Sequence, residues 1–266
     1  MMTAYAPMPR QSYGRGDTPA RPLAREVAVA LSFNGTTQAV MMASPADLMD
    51  FAYGFALSEG IARPDDIETV NIVQTALGID IQIWVSRQAE QRLAARRRTM
   101  AGPVGCGLCG IDSLEQALRR AAPIADAGFV ISPSQVMAAS ADLPRHQPLH
   151  DQTRAIHAAG FWAGKVLAAR EDVGRHNALD KLIGHMIRTN AQTSGAVLLT
   201  SRVSIDMVQK VAAFGAPVLI AVSAPTQAAV EMAESAGLTL IANTRPDGFD
   251  VFTHPNRISQ EAAHVA

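Results

Sequence analysis

Only two cysteines occur in this 266-residue chain, and they stand three apart in Gly105-Cys106-Gly107-Leu108-Cys109-Gly110. A lone Cys-x-x-Cys pair can be half of a zinc site, a dithiol/disulfide couple or a carrier of sulfur. Zinc needs four ligands, and none of the seven histidines stands near the pair in Cys2His2 spacing. A thioredoxin-like dithiol opens a helix directly after a strand, whereas here a glycine-rich loop intervenes. Glycine removes the Cβ barrier to positive φ, so the flanks favour an accessible loop over a packed structural role. A basic run, Arg92 to Arg98, precedes it. That run is either a solvated helix face or a dock for an acidic partner, and its charge can lower a nearby thiol pKa.

Two further polar constellations stand out. The run from Arg170 through Glu171, Asp172, Gly174, Arg175, His176 and Asn177 to Asp180 and Lys181 sits at the start of a helix expected over 173–187. Read locally, Asp172 caps that helix, Glu171 pairs with Arg175, and His176 shares a face with Asp180. Read functionally, a helix N-terminus with Arg175 and His176 holds a phosphate or carboxylate. The second is Thr200-Ser201-Arg202-Val203-Ser204, where a buried strand runs out into hydroxyls and an arginine. Ser201 or Ser204 can cap the next helix, or the group can bind a ligand, since ligands bind at the carboxyl ends of strands in open α/β sheets.

The elements that must position these residues follow from periodicity. Residues 1–24, rich in proline and arginine, read as a disordered tail. Val27, Val29, Leu31 and Phe33 alternate up to Asn34-Gly35, which predicts a hairpin returning through Ala39 to Met42. A helix follows, with Ser44 as N-cap, Pro45 at the first helical position and Gly60 as its stop. Strands are expected over 67–75 and 79–85, and helices opening at Asp112 and at Ser132-Pro133. After a polar connection from Leu143 to Gln152 the pattern becomes strands alternating with helices: an antiparallel pair over 156–162 and 166–169, then strands at 197–200, 217–222, 238–242 and 250–253 with helices at 205–214 and 225–236 between them. Two units are therefore expected: a smaller α+β unit, 25–142, carrying the cysteine loop at 102–111, and an α/β sandwich with parallel crossovers, 143–266.

Composition narrows the function classes. With 48% hydrophobic residues the chain can bury a substantial core, and a net charge of −1 with a pI near 6.7 argues against a nucleic-acid or membrane partner. The sequence carries no long apolar block or secretory signal, so a cytoplasmic location is expected.

Taken in order, Cys106-Gly107-Leu108-Cys109-Gly110, His157-Ala158-Ala159, Arg170 to Lys181, Ser201-Arg202-Val203-Ser204 and Ala221-Val222-Ser223-Ala224-Pro225-Thr226 resemble the FdhD family of formate dehydrogenase accessory sulfurtransferases. The resemblance runs from about Asn34 to Ile258. It implies that a cysteine desulfurase supplies persulfide sulfur to Cys106, that Cys109 assists, and that the sulfur passes to the molybdenum of the bis-molybdopterin guanine dinucleotide cofactor used by formate dehydrogenase. It further implies a C-terminal unit similar to the cytidine deaminase fold, homodimerisation, a cofactor contact along Phe249-Asp250-Val251-Phe252-Thr253-His254, and no structural metal. Ser201-Arg202 after one strand, Ser223 after the next and that segment on the last are expected to converge at one sheet edge, with Arg175 and His176 as further cofactor-binding candidates. Two departures stand out: the family has Thr-Gly-Gly-x-His where this chain has Thr153-Arg154-Ala155-Ile156-His157, and Ser-Gly-Arg where it has Thr200-Ser201-Arg202. A zinc nucleobase deaminase is rejected, because that chemistry needs His-x-Glu followed by Pro-Cys-x-x-Cys, and Ala159 and Gly105 occupy the decisive positions. The alternative is a cofactor-binding chaperone without sulfur transfer.

Overall fold

A computed structural model of the chain describes residues 3–10, 20–98, 121, 123–124 and 128–259. The cysteine loop at 102–111 and the helix expected from Asp112 lie outside these residues. Within the expected tail, β1 (Tyr5–Met8) pairs antiparallel with β2 (Arg21–Ala24), so part of that segment is structured. This pairing corrects the expectation of disorder, and Arg21 adds a tie to the body of the protein by donating to the Thr153 carbonyl at 3.3 Å.

The hairpin is present as β3 (Val27–Phe33) and β4 (Thr36–Ala43). Asn34 and Gly35 both take positive φ, 45° and 77°, as a type I′ turn requires. With β5 (Ile67–Gln74) and β6 (Ile79–Val85) they form a four-stranded sheet in the order β4-β3-β6-β5. Its inner face, led by Val29, Leu31, Phe33, Ile81 and Ile83, packs on Phe51, Ala52 and Phe55 of α1 (Leu48–Ser58). The capping expected of Ser44 is not what starts this helix. The N-cap is Asp47, in the left-handed region, while Ser44 is fully buried and bonded to a segment 129 residues away. The basic run lies on α2 (Arg87–Arg98), where Arg92 forms an ion pair with Asp66.

Ser132 and Gln135 make the capping box that starts α3 (Pro133–Asp142), and α4 (Pro148–Thr153) overlaps the end of the expected connection. Then come β7 (His157–Trp162), β8 (Val166–Asp172), α5 (Arg175–Arg188), β9 (Ala196–Leu199), α6 (Ile205–Phe214), β10 (Val218–Ala221), α7 (Gln227–Ala236), β11 (Thr239–Arg245) and β12 (Gly248–Val251). They build a six-stranded sheet in the order β12-β11-β10-β9-β7-β8, with β9, β10 and β11 mutually parallel. Two-residue alternation splits each central strand between two faces. Val197 and Leu199 meet the α5–α7 layer, while Ala196 and Leu198 meet Val136 and Ala139 of α3. A division at 142/143 thus leaves α3 on the N-terminal side in sequence although it packs on the C-terminal sheet.

The two units meet where α1 crosses α5. A Cβ built on Gly54 would lie 1.7 Å from the Asp180 carbonyl oxygen, and one on Gly184 the same distance from that of Asp50. Glycine is required on both helices because backbone touches backbone at the crossing.

Candidate functional site

The carboxyl ends of β9, β10 and β11 lie along one edge of the six-stranded sheet. Because β7 runs antiparallel to β9, its first residues reach this same edge, where the amide of Ala158 donates to Thr200 Oγ1 at 2.9 Å. His157 pairs in register with Asp172, the last residue of β8, three residues before α5 begins. His157, Arg175, His176, Ser201, Arg202, Ser204 and Asp206 therefore gather around the starts of α5 and α6. Ser201 is 4% exposed and its hydroxyl donates to the Arg202 carbonyl, while Arg202 is exposed. Ser204 occupies the N-cap position of α6 without a side-chain capping bond.

The charges here are arranged unevenly. His176 Nε2 forms a close ion pair with Asp206. Burial raises the Asp206 pKa, but the hydrogen bond and charge of His176, aided by Ser204, outweigh it and hold the carboxyl far below the usual range. The His157 pKa is lowered, first by burial and then by Arg175, His150 and His176, with Asp172 opposing. Arg175 Nε is buried and has no hydrogen-bond partner among the described residues. A buried donor without an acceptor costs about 1–3 kcal/mol, so the site favours an anion that supplies one.

Most of the Arg170–Lys181 run turns away from this edge, and the local pairings expected for it are corrected. Asp172 is not the N-cap, a position held by Gly174. It is fully buried, accepting from Lys181 Nζ at 2.5 Å, Ser44 N at 3.0 Å, Gly174 N at 2.8 Å and Asn177 Nδ2 at 3.0 Å. Lys181 also reaches the Ser44 carbonyl, and Asn177 that of Met42. Glu171 does not pair with Arg175; it accepts the free amides of Leu149 and His150 at the start of α4. Asp180 faces Lys210 and Ser58, away from His176. Arg170 bonds Asp50 and lies against His185 Nδ1. Arg175 and His176 of the run are left to the sheet edge, because Arg170, Asp172, Asn177, Asp180 and Lys181 bond across the seam between the units and Glu171 holds the start of α4.

The expected convergence of residues 249–254 with this edge holds only at their start. Phe249 packs on the α3 face and Asp250 accepts from Asn243. The strand then runs antiparallel to β11 towards the opposite edge, covering roughly 17 Å by His254 at strand rise. Val251 and Phe252 are exposed, Thr253 is buried between Leu238 and Leu240, and His254 meets the Glu234 carbonyl at the end of α7. Two residues within the departures from the family pattern have local roles. Arg154 adopts φ 58° as the residue closing α4, where the family's glycine would sit without strain. Thr200 uses its hydroxyl to hold β7.

The family model described as FdhD/NarQ matches residues 24–259. The chain belongs to the FdhD/NarQ family. It is 48% identical over 251 residues to a protein named sulfur carrier protein FdhD from Agrobacterium fabrum, covering 92% of this chain and 93% of that one. It is 52% identical over 237 residues to the protein of the same name from Brucella abortus, covering 88% of each. A crystal structure of a candidate formate dehydrogenase accessory protein from Desulfotalea psychrophila matches with a TM-score of 0.70 and 26% identity over 90% of this chain and 92% of that one.

Away from the edge, His185 also has a lowered pKa, from burial and then Arg170. A histidine depressed in the folded state binds fewer protons there than when unfolded. Its stabilising contribution is complete above the ordinary histidine pKa near 6.5 and is lost as pH falls below it. Thermal unfolding should accordingly show a lower Tm at pH 5.5 than at pH 7.5, with a shallower drop in His185→Gln. A Tm that rises on acidification across that window contradicts the assignment.

Proposed function

We propose that this protein is a sulfur carrier serving formate dehydrogenase. The reading is carried by relatives about half identical over nine-tenths of the chain that bear the name sulfur carrier protein, together with a single Cys-x-x-Cys pair available to hold the sulfur. The Cys106 thiolate attacks the outer sulfur of a desulfurase persulfide. A new S–S bond forms on Cys106 as the donor's cysteine leaves as thiolate. In delivery, Cys109 attacks the inner sulfur of the Cys106 persulfide and expels hydrosulfide towards the molybdenum of the bis-molybdopterin guanine dinucleotide substrate. The disulfide left behind is reopened by a thiol reductant. The reading includes a cytoplasmic location and two chains paired through the six-stranded unit.

Intact-mass measurement after incubation with a cysteine desulfurase and cysteine tests the carrier chemistry. Wild type should gain the mass of a sulfur atom, Cys109→Ala should retain that gain, and Cys106→Ala should lose it. Full loading of Cys106→Ala alone reverses the two roles. No gain by wild type leaves a cofactor-binding chaperone as the better reading.

For the cofactor, the sheet edge offers Arg175, His176, Ser201 and Arg202 to a diphosphate, and Phe249 is the aromatic candidate for a guanine ring. Residues Val251 to His254 lead away from it and are assigned no contact with the same phosphates. GDP stands in for half of the cofactor. Arg202→Ala should weaken its binding by about 1.5–3 kcal/mol, roughly ten- to a hundredfold, in calorimetric titration. Equal affinities would place the diphosphate elsewhere.

A further inference from the structure

The gathering at the sheet edge contains a histidine that no phosphate-binding role has yet been given. His157 is half-buried at the first position of β7. The charged and titratable groups facing it are Arg175 and His176 from α5, His150 from α4 and Asp172 from β8. Three of these are already committed. His176 is held by Asp206, and His150 Nδ1 lies 3.0 Å from the Ile156 carbonyl. Asp172 is saturated by Lys181, Ser44, Gly174 and Asn177. Among the described residues His157 is the histidine of this cluster with no ion pair or hydrogen bond of its own, and the Nε of Arg175, also without a partner there, marks where an anion is wanted.

We propose that His157 is the proton-accepting member of the diphosphate site, and that a guanine nucleoside diphosphate binding there draws a proton from solvent onto its imidazole. The inference rests on the diphosphate reading given above. Without ligand, burial first, and then the charge of Arg175 with the neighbouring His150 and His176, disfavours a positive charge on the ring. A diphosphate reverses the sign of the local field, and the protonated ring becomes an additional charge-assisted donor to it. By linkage, binding that takes up one proton strengthens about tenfold for each pH unit lowered through the affected range.

The test is calorimetric titration of GDP into the full chain at pH 7.5 in two buffers of different ionisation enthalpy, which counts protons directly. Parallel titrations of His157→Gln and His157→Asn carry the nucleotide's own ionisation. The expected result is greater proton uptake by wild type than by either variant, and a wild-type affinity that falls more steeply than theirs as pH is raised to 8.5. Wild type that binds GDP with no proton uptake overturns the role of His157 and leaves the diphosphate site standing. This count needs no variant, so misfolding of either substitution does not protect the proposal. Wild type that fails to bind GDP at millimolar concentration overturns both.

Discussion

Lys210→Met is expected to destabilise the protein by about 3–5 kcal/mol, because it strands a buried carboxylate. Lys210 is 5% exposed and Asp180 fully buried. The ammonium donates to both Asp180 oxygens at 3.0 Å, to Glu59 at 2.7 Å and to Ser58 at 2.9 Å. Burial alone would lower the lysine pKa, but the charges of Asp180 and Glu59 outweigh it and hold it above the ordinary value. Removing only the lysine leaves Asp180 with the Ser58 hydroxyl as its remaining close donor. Replacing both members, as in Asp180→Leu with Lys210→Met, removes the stranded charge and should recover most of the loss. Urea unfolding of wild type and the two variants checks this. A single variant as stable as wild type, or a double variant no better than the single, would show that Asp180 is not held as a buried ion.

Gly184→Ala is expected to be nearly as damaging for a different reason. The added methyl falls 1.7 Å from the Asp50 carbonyl oxygen of α1, and backbone cannot rotate aside as a side chain does. Helices α1 and α5 must separate, which loosens Lys181 from Ser44 and Arg170 from Asp50 at the same seam. Overpacking costs about 1–3 kcal/mol even where neighbours are side chains, so about 3 kcal/mol or more is expected here. Gly54→Ala should behave alike, since its Cβ meets the Asp180 carbonyl in the same crossing. Gly35→Ala is the useful contrast: it sits in open space, so its cost is confined to its positive φ. Equal denaturation midpoints for Gly184→Ala and wild type would contradict the close crossing.

What could be read from the chain alone was whatever is written in neighbouring residues. The β3–β4 hairpin follows from two-residue alternation and a dipeptide that tolerates positive φ. Helix α6 spans the residues its apolar spacing predicts, and α3 starts at its capping box. The order of short motifs, from the cysteine pair to Ser201-Arg202, was enough to point to the family. Side-chain direction was decided elsewhere. In sequence, Asp172 read as a helix cap and Asp180 as a face-mate of His176; in the fold Asp172, Asn177, Asp180 and Lys181 are the seam, because their partners Met42, Ser44 and Ser58 arrive from more than 120 residues earlier. Burying those charges without partners would be prohibitive, so the tertiary contact determines which way they face. The split of residues 249–254 has the same origin: a strand adjoining a site in sequence leaves it at strand rise, and only the antiparallel pairing with β11 fixes the direction.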